Sequence, residues 1–92
     1  MTKQEFDEIV KAENLNTINL IERSPGYDLG MHQHPFDAFA LITAGTITLV
    51  VEGVAATYGV GDTFRLPINT PHLESTPTGV IYLAARRDAS TS

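Results

Sequence analysis

From residue 15 onward the chain is interrupted too often for anything but short strands. Turn-forming clusters recur at Ser24-Pro25-Gly26, Ala44-Gly45, Glu52-Gly53, Gly59-Val60-Gly61-Asp62, Pro67 to Pro71 and Thr76-Pro77-Thr78-Gly79. Each contains residues that tolerate or impose turn backbone. Between them lie NTINLIE, FALIT, TITLVVE, VAATY, TFRL, HLEST and VIYLAA, all rich in β-branched or aromatic side chains. Short strands broken by turns every eight to twelve residues or so fold as an antiparallel sandwich or barrel.

Patterning within the runs refines this. Thr46 to Glu52 alternates, so Ile47, Leu49 and Val51 face inward while Thr46, Thr48 and Val50 face out. AFALI is apolar on both faces, so one face needs a cover, from an N-terminal helix or from a second subunit. Such a helix is predicted over about residues 2–13. Thr2 and Glu5 have capping-box spacing, and Phe6, Ile9 and Val10 share a face. The 92 residues make one all-β domain, 1–92, with its barrel over about 15–86 and DASTS, about 88–92, as a disordered tail. Exposed strand edges and AFALI together predict a homodimer.

Charge and composition remove several classes of function. Six Lys and Arg against eleven Asp and Glu give a net charge of −5, and Arg86-Arg87 is the only adjacent basic pair. Nucleic-acid binding depends on clustered basic residues, so it is not expected. No apolar run approaches the ~18 residues that span a bilayer, and MTKQEFDEIV is no signal peptide. The expected location is therefore cytoplasmic, with no membrane partner. Without cysteine there is no disulfide and no thiolate. Any site must be built from His, carboxylates, hydroxyls and backbone.

Two of the three histidines fall in MHQHPFDA, as His32 and His34. On a strand, residues i and i+2 point the same way about 6.6–6.8 Å apart, so both imidazoles can converge on one ion. His72, after the rigid PINTP loop, is the only other histidine. Three imidazoles held together without an ion repel when protonated and lose solvation when buried, which favours a metal over a bare cluster.

These residues resemble the cupin family. Gly26, five residues, His32-x-His34 and then Gly45 follow the first cupin motif; Gly61, five residues, Pro67 and then His72 follow the second. About fifteen residues separate the motifs, with the TITLVVEG hairpin between them, and the resemblance covers residues 20–85 or so. It implies a double-stranded β-helix, a jelly-roll barrel, holding a metal inside through three His and usually one Glu. Three positions depart from the pattern. Ala38 stands where the glutamate falls, Asn69 replaces the glycine of the second motif, and Thr76 replaces its closing asparagine. Asn also adopts turn conformations, so Asn69 keeps the turn.

Either another carboxylate or water fills the place that Ala38 leaves. Asp37 is one residue out of step and points to the opposite face. Glu74 lies two residues after His72, and the period-2 rule puts it on the metal side. It serves as a ligand, as a partner of an imidazole, or as a general base with a raised pKa; the alternative is a solvated glutamate or one paired with Arg65. The expected site is thus His32, His34, His72 and Glu74, with one divalent transition metal: Fe, Zn, Ni or Mn. Met31, Phe36 and Phe39 are candidates for the pocket mouth or for plain core. Tyr27, Tyr58 and Tyr82 are unranked hydroxyl donors, and Arg65 points outward.

Cupins act as dioxygenases, isomerases, lyases, sugar-binding and sensor domains, and storage proteins. The resemblance implies a small metal-binding cupin acting on a small molecule in the barrel. A metal-dependent enzyme comes first and a stand-alone binding or sensor module is the alternative. Three histidines leave coordination positions open, as catalysis by a metal requires.

Overall fold

Each of the predicted turn clusters closes or flanks a strand junction. The computed structural model describes residues 1–88 of the chain. One helix, α1 (Lys3–Ala12), precedes eight strands: β1 (Thr17–Arg23), β2 (Tyr27–His32), β3 (Phe36–Gly45), β4 (Ile47–Val51), β5 (Val54–Tyr58), β6 (Thr63–Leu66), β7 (His72–Thr76) and β8 (Val80–Asp88). They form two four-stranded sheets, ordered β1-β8-β3-β6 and β2-β7-β4-β5, with antiparallel pairing throughout. The chain passes back and forth between the sheets, as a jelly roll does, so each sheet is assembled from distant segments. Asp88 pairs with Phe36 at the end of β8, so no tail begins at 88. The remainder of the expected tail, 89–92, lies outside the described residues.

The β4–β5 turn shows how local chemistry sets the register. Val51 pairs with Val54, leaving Glu52 and Gly53 as a two-residue loop with φ of 52° and 77°. Two positive φ values define the tight hairpin turn that matches strand twist, and glycine supplies the second at little cost. At the far end of β3, Gly45 has φ 74°, and a Cβ there would lie 2.0 Å from the Gly79 carbonyl oxygen. Only glycine lets those two turns cross so closely.

The alternation in AFALI resolves into two cores. Ala40 and Ile42 face the barrel interior with Ile47, Leu49, Phe64, Leu66, Val80 and Tyr82. Phe39 and Leu41 face outward against Phe6 and Val10 of α1, together with Ala85. The Phe6 and Phe39 rings stack at 5.1 Å. The helix therefore supplies the cover, and this face gives no reason for a second subunit. Thr2 and Glu5 form the predicted capping box at its start. At its end, Glu13 receives two hydrogen bonds from Arg65, at 2.9 and 2.7 Å, and its carbonyl accepts one from Arg87. Arg65 lies over the Phe39 ring on the way, on the outer face as expected. The exposed apolar residues of β1 are Ile18 and Leu20. No helix among the described residues is long and apolar enough to cross a membrane.

Candidate metal centre

YDLGMH alternates Tyr27, Leu29 and Met31 with Asp28, Gly30 and His32, but its burial does not follow that alternation, because most of the strand is exposed. It forms β2, pairing with β7 through Tyr27 to Leu29; the register then shifts, and His32 pairs with His72. The shift re-aims the strand end, as an extra residue in a ladder does. His34 is not on this strand. It lies in the β2–β3 connection, before Pro35, which keeps the backbone ahead of it extended. The rings of His32 and His34 nonetheless meet edge to face at 4.9 Å.

Two hydrogen bonds tie this connection to the loop that delivers His72. Asn69, at φ 59°, donates its backbone N–H to the His34 carbonyl at 2.9 Å. Ile68 N–H donates to Asp37 Oδ1 at 2.7 Å. Asp37 therefore points away from the histidines, as strand phase predicts, and holds the loop; no sequence signal announces that task. His72 then opens β7, where His72, Glu74 and Thr76 all point inward and are buried. Its ring centroid is 4.1 Å from that of His32 and 5.3 Å from that of His34. Glu74 is thus inside the barrel and remote from Arg65, which is held by Glu13. One ligand atom from each of His32, His34, His72 and Glu74 lies within 4.8 Å of the others.

The hydrogen bonds around the rings fix their tautomers. His32 Nδ1 lies 2.9 Å from the Gly30 carbonyl, and His72 Nδ1 lies 2.9 Å from the Thr70 carbonyl. A carbonyl only accepts, so both Nδ1 atoms carry hydrogen and both Nε2 atoms of the neutral rings present lone pairs. Those lone pairs face Glu74 Oε2, at 3.3 Å from His32 and 3.2 Å from His72. Acceptors so arranged repel unless a cation lies among them. Protonating His72 supplies one hydrogen bond to Glu74, yet His32 Nε2 stays buried without a partner. A metal ion satisfies every one of these atoms, so the donor set fits one. Burial, reinforced by the His32 and His72 imidazoles and opposed by Glu74, holds the His34 pKa below its usual value, which favours the neutral, ligating form.

Behind the cluster is a cavity of ≈ 110 Å³. Its wall includes Ala38, Ala40 and Ala84, whose small side chains leave the space open. Tyr27, Tyr82 and Phe36 also line it; Met31 is exposed outside it, Phe39 lies under α1, and Tyr58 packs on Phe64. Burial, aided by Glu74, pushes the Tyr82 hydroxyl pKa up to about 12, so it stays a proton donor. Arg86, over the Phe36 ring at 4.8 Å, and Arg23 at the cavity's other side carry no sequence signal of a site role. Only the assembled sheets put them there.

Residues 19–80 match the family model described as Cupin domain. The chain belongs to the cupin family. Solved cupin-like structures overlay it closely at low identity. A conserved protein of unknown function from Streptococcus pyogenes aligns with a TM-score of 0.72 and 20% identity, over 80% of this chain and 65% of its own. A cupin 2 conserved barrel domain protein from Salinispora arenicola gives 0.68 and 26%, over 78% and 62%. The DMSP lyase DddQ from Ruegeria pomeroyi gives 0.72 and 25%, over 82% of this cupin but 39% of the lyase. This cupin thus spans less than two thirds of the length of each. A search of curated proteins finds no significant match.

Proposed function

We propose that this cupin is a metal-dependent enzyme acting on a small molecule in its barrel, of the lyase, isomerase or dioxygenase kind. One divalent ion, Fe, Zn, Ni or Mn, is held by His32, His34, His72 and Glu74. The observation that carries this reading is the convergence of the His32 and His72 Nε2 lone pairs on Glu74 Oε2, with His32 Nε2 buried and unpartnered. The likeness to DMSP lyases supports the lyase end of the range.

Such an ion, when bound, polarises a carbonyl or carboxyl oxygen of the substrate or activates a bound molecule. The chain's own groups do the rest. The Gly30 and Thr70 carbonyls fix the His32 and His72 rings and make their Nε2 atoms more basic. Glu74 takes the role left open by Ala38: its Oε2 faces the two rings, and Oε1 accepts a proton from substrate. Tyr82 keeps its proton and donates a hydrogen bond. Phe36, Phe64 and Leu66 restrict water. We place this cupin in the cytoplasm and assign it a homodimer through the exposed Ile18 and Leu20 face of β1.

Metal content of protein purified without a nickel column tests the site. Near-stoichiometric transition metal, lost in the His32→Ala/His34→Ala double variant, is expected. A protein that takes up no metal after anaerobic reconstitution overturns the enzyme reading and leaves a small-molecule binding barrel.

A further inference from the structure

The cavity behind the cluster has a second polar end. Arg23, at the end of β1, and Tyr27, which pairs with Thr76 at the other end of the β2–β7 ladder from His32 and His72, line the cavity. The Arg23 guanidinium lies 5.0 Å from the centroid of the Tyr27 ring. Its Nε is buried with no hydrogen-bond partner. Among the described residues the ion pairs are Lys3 with Asp7, Arg65 with Glu13, and the histidines with Glu74, so none involves Arg23. A ring face offsets part of the cost of desolvating a guanidinium, but it does not satisfy a buried N–H. The Nε–H of this half-buried side chain lacks an acceptor, and the cavity's own carboxylate, Glu74, is turned to the histidines.

Between the two polar ends the lining is apolar: Ile21, Leu29, Phe64, Ala40 and Ala84. Its ≈ 110 Å³ suits a molecule of a few carbons. We propose that the cavity binds a small aliphatic monocarboxylate, its carboxylate received by Arg23 and its other end directed at the His–Glu cluster. The guanidinium fork matches a carboxylate in geometry and charge. Placing the far end at the cluster rests on the metal reading above; the Arg23 contact does not.

Butyrate and its neutral isostere butyramide are the probes, titrated into zinc-loaded and EDTA-treated protein and followed by NMR. Butyrate is expected to shift the Arg23 Nε–H and the Tyr27 and Tyr82 ring signals saturably in both forms. Butyramide should bind about tenfold more weakly or worse, because it offers no charge-assisted hydrogen bond. Arg23→Met should lower butyrate affinity to that of the amide with zinc content unchanged, and Arg23→Lys, which keeps charge but not the fork, should fall between. The acid–amide comparison on the unaltered protein stands even if Arg23→Met misfolds. Equal affinity for acid and amide, or full butyrate affinity in a folded Arg23→Met protein, overturns the proposal. Protein that binds no zinc yet shows the butyrate response at Arg23 retires the metal reading and keeps this one.

Discussion

Glu74 Oε2 stands within 3.3 Å of two imidazole nitrogens whose rings have already committed their N–H groups to backbone carbonyls. Replacing it with glutamine therefore has opposite consequences with and without an ion. In metal-free protein the substituted amide can donate to an Nε2 lone pair, so Glu74→Gln should keep or raise stability. With zinc present it should bind the ion at least about tenfold more weakly, which forfeits about 1.4 kcal/mol of ligand-linked stabilisation. Calorimetry with and without zinc reads both signs; a Glu74→Gln protein stabilised by zinc as fully as the unaltered one removes Glu74 from the ligand set. Thr76 makes a separate contribution. It is fully buried, and its Oγ1 donates to the Thr46 carbonyl at 2.6 Å. Thr76→Val keeps the shape but strands that carbonyl, and chemical denaturation should show a loss of about 1–3 kcal/mol.

Helix α1 is held at three points: its cap, its Phe6 and Val10 face, and the Arg65 and Arg87 contacts at Glu13. Phe6→Ala should cost about 3–5 kcal/mol in denaturant unfolding, because the ring is fully buried and stacked on Phe39. The Glu13 contact adds a pH term. The hydrogen bond from Arg65 holds the Glu13 pKa below its usual value. Its stabilisation is present above the unfolded carboxylate pKa and fades as pH falls through the lower folded value. Glu13→Gln should therefore be the less stable protein at neutral pH, and its stability should converge on that of the unaltered chain as pH falls. This helix was legible in sequence because every signal was local: a capping box and a 3.6-residue period. So was the inward phase of His72 and Glu74, since one uninterrupted strand carries both. The facing of β2 was not, because its register shift breaks the phase: Tyr27 and Leu29 line the cavity, but His32 follows them inward in place of Met31. His34 reaches its place by a route that differs from the expected one: a connection, not a strand, positions it.

At the scale of the molecule, neighbouring residues of one strand answer to different cores. Ala84 and Ala85 are adjacent in β8, pairing with Ala40 and Phe39 of β3. Ala84 opens on the barrel cavity, whereas Ala85 is fully buried beneath α1. No reading of VIYLAA alone could tell a wall of the site from the floor under a helix. That distinction requires knowing that β8 lies between β1 and β3 and which face α1 covers. It also decides what the same substitution does at each position. Ala84→Leu adds bulk to an existing space, so it should cost less than about 1 kcal/mol, leave zinc content unchanged and abolish butyrate binding. Ala85→Leu forces the bulk into a closed contact with Phe6 and Leu41, so it should destabilise by about 1–3 kcal/mol while butyrate and zinc still bind. Paired titration and unfolding measurements on the two variants separate the outcomes. If Ala84→Leu binds butyrate normally, the ligand does not occupy the alanine-lined space, and the two faces of β8 do not divide function from stability in this way.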